Sequence, residues 1–208
     1  MQSFWQGVIS AWQAQSSLEM VAVALGLAYL VLAMKQSQWC WYAAFGSTAI
    51  FSWLFFDVSL VMESALNVYY LLMAIYGWWC WRSGNKHNDN SQPELLIQRW
   101  RWQQHALALG LIVGLALVSG YLLSRYTDAA LPYLDSFTTW GSVVTTYMVA
   151  RKVLENWLYW QIFNTGAILL YLDRELYLVA LLMMIYLALA VLGWFMWLRD
   201  YRHQQMTR

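Results

Sequence analysis

Between Leu18 and Leu198 the chain falls into seven apolar stretches, and its charged side chains stand almost entirely at the ends of those stretches. No motif limits the fold as much as this pattern does. A helix rises about 1.5 Å per residue, so about 20 apolar residues cross a hydrocarbon layer about 30 Å thick. Lipid offers no partner for backbone N–H and C=O groups, so a spanning segment must satisfy them internally. Only 11% of the residues are charged, against about 25% in ordinary soluble domains. That is too little to cover a water-soluble globule of 208 residues, and the expected fold is an all-α integral membrane protein.

The expected spans are 18–34, 39–56, 58–81, 105–124, 136–150, 154–172 and 176–198. Residues 1–17 form an extracytoplasmic interfacial segment, with Trp5, Val8, Ile9 and Trp12 at helical spacing. Ser16 and Glu19 have the capping-box spacing that opens a helix. Residues 83–104 make a cytoplasmic loop. Its second half, from the Ser91/Glu94 box through Trp102, is expected as a short surface helix with Trp100 and Trp102 at the headgroups.

Ten of the twelve cations lie on one side of this scheme: Lys35, Arg82, Lys86, Arg99, Arg101, Arg151, Lys152, Arg199, Arg202 and Arg208. Arg125 and Arg174 lie on the other. The positive-inside rule then puts the amino terminus outside and the carboxyl terminus, 199–208, in the cytoplasm. The net charge of +1 argues against a nucleic-acid partner, which needs a basic field. Cys40 and Cys80 have no metal-ligand spacing, and no metal or cofactor is expected. His87, His105 and His203 are scattered and read as solvated surface histidines.

An internal repeat appears without gaps at an offset of 116 residues. Trp41 falls on Trp157, Asp57 on Asp173, Tyr70 on Tyr186, Gly77-Trp78 on Gly193-Trp194, and Trp81 on Trp197. An even number of spans, four, separates the two starts, so both copies cross in the same direction. The expectation is a 3+1+3 parallel repeat: three helices in 18–82, a linking helix in 105–128 and three more in 129–198. The substrate of such a carrier sits between the two triplets near mid-bilayer.

The polar groups that would meet there are few. Trp157, Trp160 and Asn164 share one side of the sixth span, which puts the Asn164 amide close to the bilayer midplane. An amide at that depth needs protein, water or a ligand to face, and two indoles offer flat surfaces for a ring-shaped solute. In the third span Glu63, Asn67 and Tyr70 follow one helical stripe, with Asn67 about 15 Å along the helix from Asp57. Glu63 stands well inside a span, where it would greet a cationic ring, couple a proton or sit in a wet vestibule. Thr145 belongs to a hydroxyl face of the fifth span, although such hydroxyls often bond back to their own helix.

Arg151-Lys152, then Glu155-Asn156-Trp157, Trp160 and Asn164, with Asp135-Ser136 upstream and Tyr76-Gly77-Trp78 in the third span, resemble the signature of the Pnu vitamin transporter family. The resemblance implies a SWEET-like fold, a multi-pass place in the bacterial cytoplasmic (inner) membrane and a homotrimer. It implies no enzymatic activity. Uptake of nicotinamide riboside or a similar ring-containing vitamin would proceed by facilitated diffusion. Trapping would fall to a cytosolic kinase that does not touch the carrier. It also implies that Trp157, Trp160, Asn164 and the Asn67 position belong to the binding region. The chain departs from the family pattern at Asn67, Ala74 and Glu63, which leaves thiamine, riboflavin and nucleosides open as substrates. A seven-helix receptor or sensor is the alternative of a different class. A retinal protein would need a Schiff-base lysine in the seventh span, which has none.

Overall fold

A computed structural model describes residues 2–57, 61–83, 95–127 and 131–206. The chain is all-helical there: α1 (Gln2–Ala14), α2 (Ser17–Met34), α3 (Trp39–Asp57), α4 (Val61–Ser83), α5 (Trp102–Tyr126), α6 (Pro132–Ala150), α7 (Asn156–Asp173) and α8 (Tyr177–Met206). Helices α2 to α8 follow the seven apolar stretches, and α1 is the helix that the spacing of Trp5, Val8, Ile9 and Trp12 predicts. Its Trp5, Ile9 and Trp12 are exposed, while Val8 is buried. By length and composition alone α2, α5 and α8 are long and apolar enough to cross a membrane.

Local chemistry explains several helix ends. The Ser16/Glu19 box forms as expected: the Glu19 N–H donates to Ser16 Oγ and the Ser16 N–H to Glu19 Oε2, each at 3.2 Å. Pro132 opens α6, where its missing N–H costs nothing. Helices α2, α6 and α7 end in the same way, with a left-handed residue after the last turn: Gln36 (φ 55°), Lys152 (φ 50°) and Glu175 (φ 57°). In each, two amides turn back onto the final carbonyls, as Gln36 N to Ala33 O and Ser37 N to Leu32 O do at 3.0 Å.

Two compact units result. The first joins residues 15–98, 146–154 and 195–208. Within it α3 packs against both α2 and α4; Ser47 Oγ donates to Ala22 O and Ser64 Oγ to Ser52 O, each at 2.8 Å. Gly77 of α4 leaves the gap that the Trp41 ring of α3 fills, so closely that a Cβ there would collide with the indole. Trp41 meets Trp81 edge to face at 5.3 Å. Trp81 Nε1 donates to Val149 O at 3.3 Å and Trp197 Nε1 to Ala33 O at 3.1 Å.

Lys152 lies in the same unit with 2% of its surface exposed. Its Nζ donates to Gln36 Oε1 at 3.2 Å and stands 4.7 Å from the centre of the Trp81 ring. Gln36 Nε2 in turn donates to Asp200 Oδ2 at 2.8 Å. Lys152, one of the ten cations that the sequence pattern groups on one side, is thus a buried cation. The left-handed turn that closes α6 folds the residue inward over an indole face, where cation–π attraction and a hydrogen bond offset desolvation.

The second unit joins residues 1–14, 99–145 and 155–194. Helix α7 threads between α6 and α8 through two glycine gaps: Phe163 fills the one at Gly141, and Trp157 the one at Gly193, where an added Cβ would lie 2.6 Å from the ring. Trp140 Nε1 donates to Ser119 Oγ at 3.1 Å, joining α6 to α5. Arg174 pairs with Asp135 at 2.8 Å, tying the end of α7 to the first turn of α6.

Residues 95–101 depart from the expected surface helix. They are extended, and Gln98 pairs with Val153 as an isolated parallel bridge. The Gln98 N–H donates to Lys152 O at 3.0 Å, Leu154 N to Gln98 O at 2.8 Å, and Gln98 Nε2 to Arg151 O at 2.7 Å. The backbone groups of Gln98 are engaged by the 151–154 linker, which a helix through Gln98 would forbid. The Ser91/Glu94 box lies outside the described residues.

Candidate functional site

The candidate site is built on α7, and α7 starts later than its apolar pattern suggests. Residues 151–155 are a turn and bridge rather than the first turn of a helix. Lys152 is left-handed, and Leu154 gives its amide to the 95–101 segment. Helical bonding begins as Leu158 N and Tyr159 N reach Glu155 O at 3.0 and 3.2 Å.

From that start Trp157, Trp160 and Asn164 run along one side of α7, at i, i+3 and i+7. Asn164 is 6% exposed, a carboxamide held inside an apolar helix packing. Trp160 is half-buried. Trp157 is 1% exposed, because its ring is spent on the Gly193 gap. Thr145, in the same unit, is fully buried and donates to Gly141 O at 2.6 Å, one turn back in its own helix.

Asn67 and Tyr70 belong to the other unit, on α4, and both are half-buried. The Tyr70 ring lies edge-on to Tyr69 at 5.6 Å. Glu63 falls within α4, and its side chain lies outside the described residues.

Motif reading missed a second set of side chains on the opposite side of α7. Glu155, 6% exposed, accepts from Arg99 Nε at 2.7 Å and from the Trp100 N–H at 3.3 Å. His105 Nδ1 lies 3.0 Å from the Tyr159 hydroxyl. The His105 ring is 5.6 Å from Trp100 and 5.8 Å from Tyr159. Tyr159 continues to Phe163 at 6.2 Å, and Phe163 to Phe137 at 5.2 Å. His105 is therefore not the solvated surface histidine its scattered position suggests; it is half-buried between two aromatic rings. The signal available in sequence was the i, i+4, i+8 spacing of Glu155, Tyr159 and Phe163, which marks a face without naming its partners.

Chemically the α7 face offers a carboxamide and indole rings on an apolar helix. Such groups can hold a flat polar solute by stacking and neutral hydrogen bonds, which defines the class as a membrane carrier of small molecules. Comparison with known proteins agrees. Residues 16–199 match the family model described as "Nicotinamide mononucleotide transporter", and the chain belongs to that family. The nicotinamide riboside transporter PnuC of Escherichia coli (strain K12) is 23% identical over 214 residues, spanning 91% of this chain and 88% of that one. The riboflavin/roseoflavin transporter RibM of Streptomyces davaonensis is 26% identical over 143 residues, covering 68% of this chain and 66% of its own. The crystal structure of the vitamin B3 transporter PnuC superposes with a TM-score of 0.73 at 20% identity, covering 97% of this chain and 89% of that one. The resemblance read from the Glu155-Asn156-Trp157 region is thus the right one. The protein is a membrane transporter of the inner membrane, from a family of carriers and not of enzymes.

Proposed function

We propose that the protein takes up nicotinamide riboside, or a vitamin with a similar flat ring, by facilitated diffusion, and that phosphorylation by a cytosolic kinase traps it. The observation that carries this reading is the α7 face. A buried carboxamide, Asn164, shares it with two indoles in a chain 23% identical to a nicotinamide riboside transporter. Asn164 and Asn67 supply hydrogen bonds, and Trp160 and Tyr70 supply ring contacts. Trp157 and Thr145 are buried in helix packing, so they reach the vitamin only as the helices part. Glu63 draws a cationic ring inward. Stacking contributes about 0.5–1.5 kcal/mol per ring pair, which suits a carrier that must also release its cargo.

The architecture of this reading is seven transmembrane helices, α2 to α8, in a 3+1+3 parallel arrangement with the amino terminus outside and the carboxyl terminus in the cytoplasm. Matching geometry at an offset of 116 supports it. Gly77 receives Trp41 as Gly193 receives Trp157, and the left-handed ends of α2 and α6 fall at Gln36 and Lys152. The assembly proposed is a homotrimer in the lipid bilayer.

Uptake of radiolabelled nicotinamide riboside into proteoliposomes tests the function. Equilibration to the outside concentration is expected, with exchange against unlabelled vitamin. Accumulation driven by an imposed pH gradient would overturn facilitated diffusion, and no uptake at all would overturn the substrate. The likeness to RibM favours riboflavin as a second reading, so competition between the two vitamins in the same assay decides between them.

A further inference from the structure

We propose that Glu155 and His105 are positioning residues: by pinning the back of α7 to residues 99–105 they set the rotation of that helix, and so the aim of Trp160 and Asn164. This rests on the reading of α7 as the vitamin-binding helix.

The geometry of a helix makes the case. At about 100° per residue, Glu155, Tyr159 and Phe163 occupy a face centred roughly 130° from the one carrying Trp157, Trp160 and Asn164. Side-chain ends stand roughly 5–6 Å from a helix axis. A rotation of about 20° therefore carries the Asn164 amide about 2 Å, whereas a hydrogen bond tolerates a few tenths of an ångström. Trp157 in the Gly193 gap and Phe163 in the Gly141 gap interlock α7 with its neighbours. The directional contacts of Glu155 and Tyr159 add a hydrogen-bonded constraint at the start of the helix, on its back.

Three features assign that role to this cluster. First, the turn at 151–155 breaks the helical path into α7, so α6 does not transmit its own rotation. Second, the Glu155 side chain makes no capping bond to its own helix; both of its oxygens face the 99–100 backbone and side chain. Third, one turn on, Tyr159 meets His105 at 3.0 Å, giving a second directional contact on the same side. A carboxylate at the helix start is also favoured by the helix dipole.

The test uses the full-length protein carrying a nitroxide at Ile162, which is 54% exposed on α7. Affinity for nicotinamide riboside and accessibility of the nitroxide to lipid-soluble and water-soluble relaxants are measured for Glu155→Ala, Arg99→Ala and His105→Phe. The expected result is an affinity loss of fivefold or more with a shift in accessibility, and partial recovery of both in Glu155→Gln, which keeps one acceptor oxygen. Should Glu155→Ala not fold, Arg99→Ala gives the same reading, since the Arg99 side chain is 55% exposed. Affinity within twofold of the unmodified protein and an unmoved nitroxide would overturn the proposal. If the unmodified protein fails to bind the vitamin while the nitroxide moves in the variants, the positioning role stands and the vitamin assignment falls.

Discussion

Gln36 and Lys152, 116 residues apart, share a left-handed backbone (φ 55° and 50°) and a hydrogen bond from Lys152 Nζ to Gln36 Oε1 at 3.2 Å. Around them the bonding is reciprocal at the same offset. Trp81 donates to the carbonyl of Val149, and Trp197 to that of Ala33. Trp197 stands 116 after Trp81, and Val149 stands 116 after Ala33. Each tryptophan thus closes on the helix end equivalent to the one its counterpart uses. The two bonds are therefore related by the same 116-residue offset that relates Gln36 to Lys152.

This reciprocity predicts matched losses. Trp81→Phe and Trp197→Phe each remove one indole hydrogen bond and leave the carbonyl with its helix-end amide donor alone, at a cost of about 0.5–1.5 kcal/mol. Thermal unfolding in detergent should show two shifts of similar size. A large shift for one and none for the other would contradict the equivalence.

Lys152→Ala should destabilise more than Gln36→Ala. The lysine change removes a cation–π contact worth about 2 kcal/mol when desolvated and opens a cavity beneath Trp81. The glutamine change loses neutral or singly charge-assisted hydrogen bonds of about 1–3 kcal/mol, part of which a water can replace. The same melting assay checks the order.

Glycine substitutions separate packing from backbone. Gly77→Ala and Gly193→Ala place a Cβ against the Trp41 and Trp157 rings and should cost about 1–3 kcal/mol each by overpacking. Gly110→Ala and Gly114→Ala meet open space in α5 and should stabilise by up to about 1 kcal/mol, because alanine loses less entropy in a helix. In the opposite sense, Glu175→Gly, at an exposed left-handed position, should raise the melting midpoint by relieving about 1–2 kcal/mol.

At the candidate site, Asn164→Ala should weaken vitamin binding about threefold to tenfold, the value of one neutral hydrogen bond. Trp160→Ala should do so by a comparable factor through lost stacking. Both are read by titration calorimetry on the purified protein. Unchanged affinity in both would remove the α7 face from the binding region.

Much of this was legible in the chain itself, because it depends on near neighbours. Whether a stretch prefers lipid is a property of its own side chains, so α2 to α8 follow the apolar runs. The Ser16/Glu19 cap needs only residues three apart, and the 116-residue offset is visible by alignment. The α7 face could be drawn from helical spacing alone. Tertiary structure decided what depends on partners distant in sequence. Residues 95–101 gave up helix for the linker at 151–154, because backbone amides and carbonyls there answered one another. Lys152 turned inward because the α6 cap aims it over the Trp81 ring. His105 found Tyr159 because the chain folds the start of α5 against the back of α7. Periodicity assigns a residue to a face of its helix, but only packing determines what that face meets.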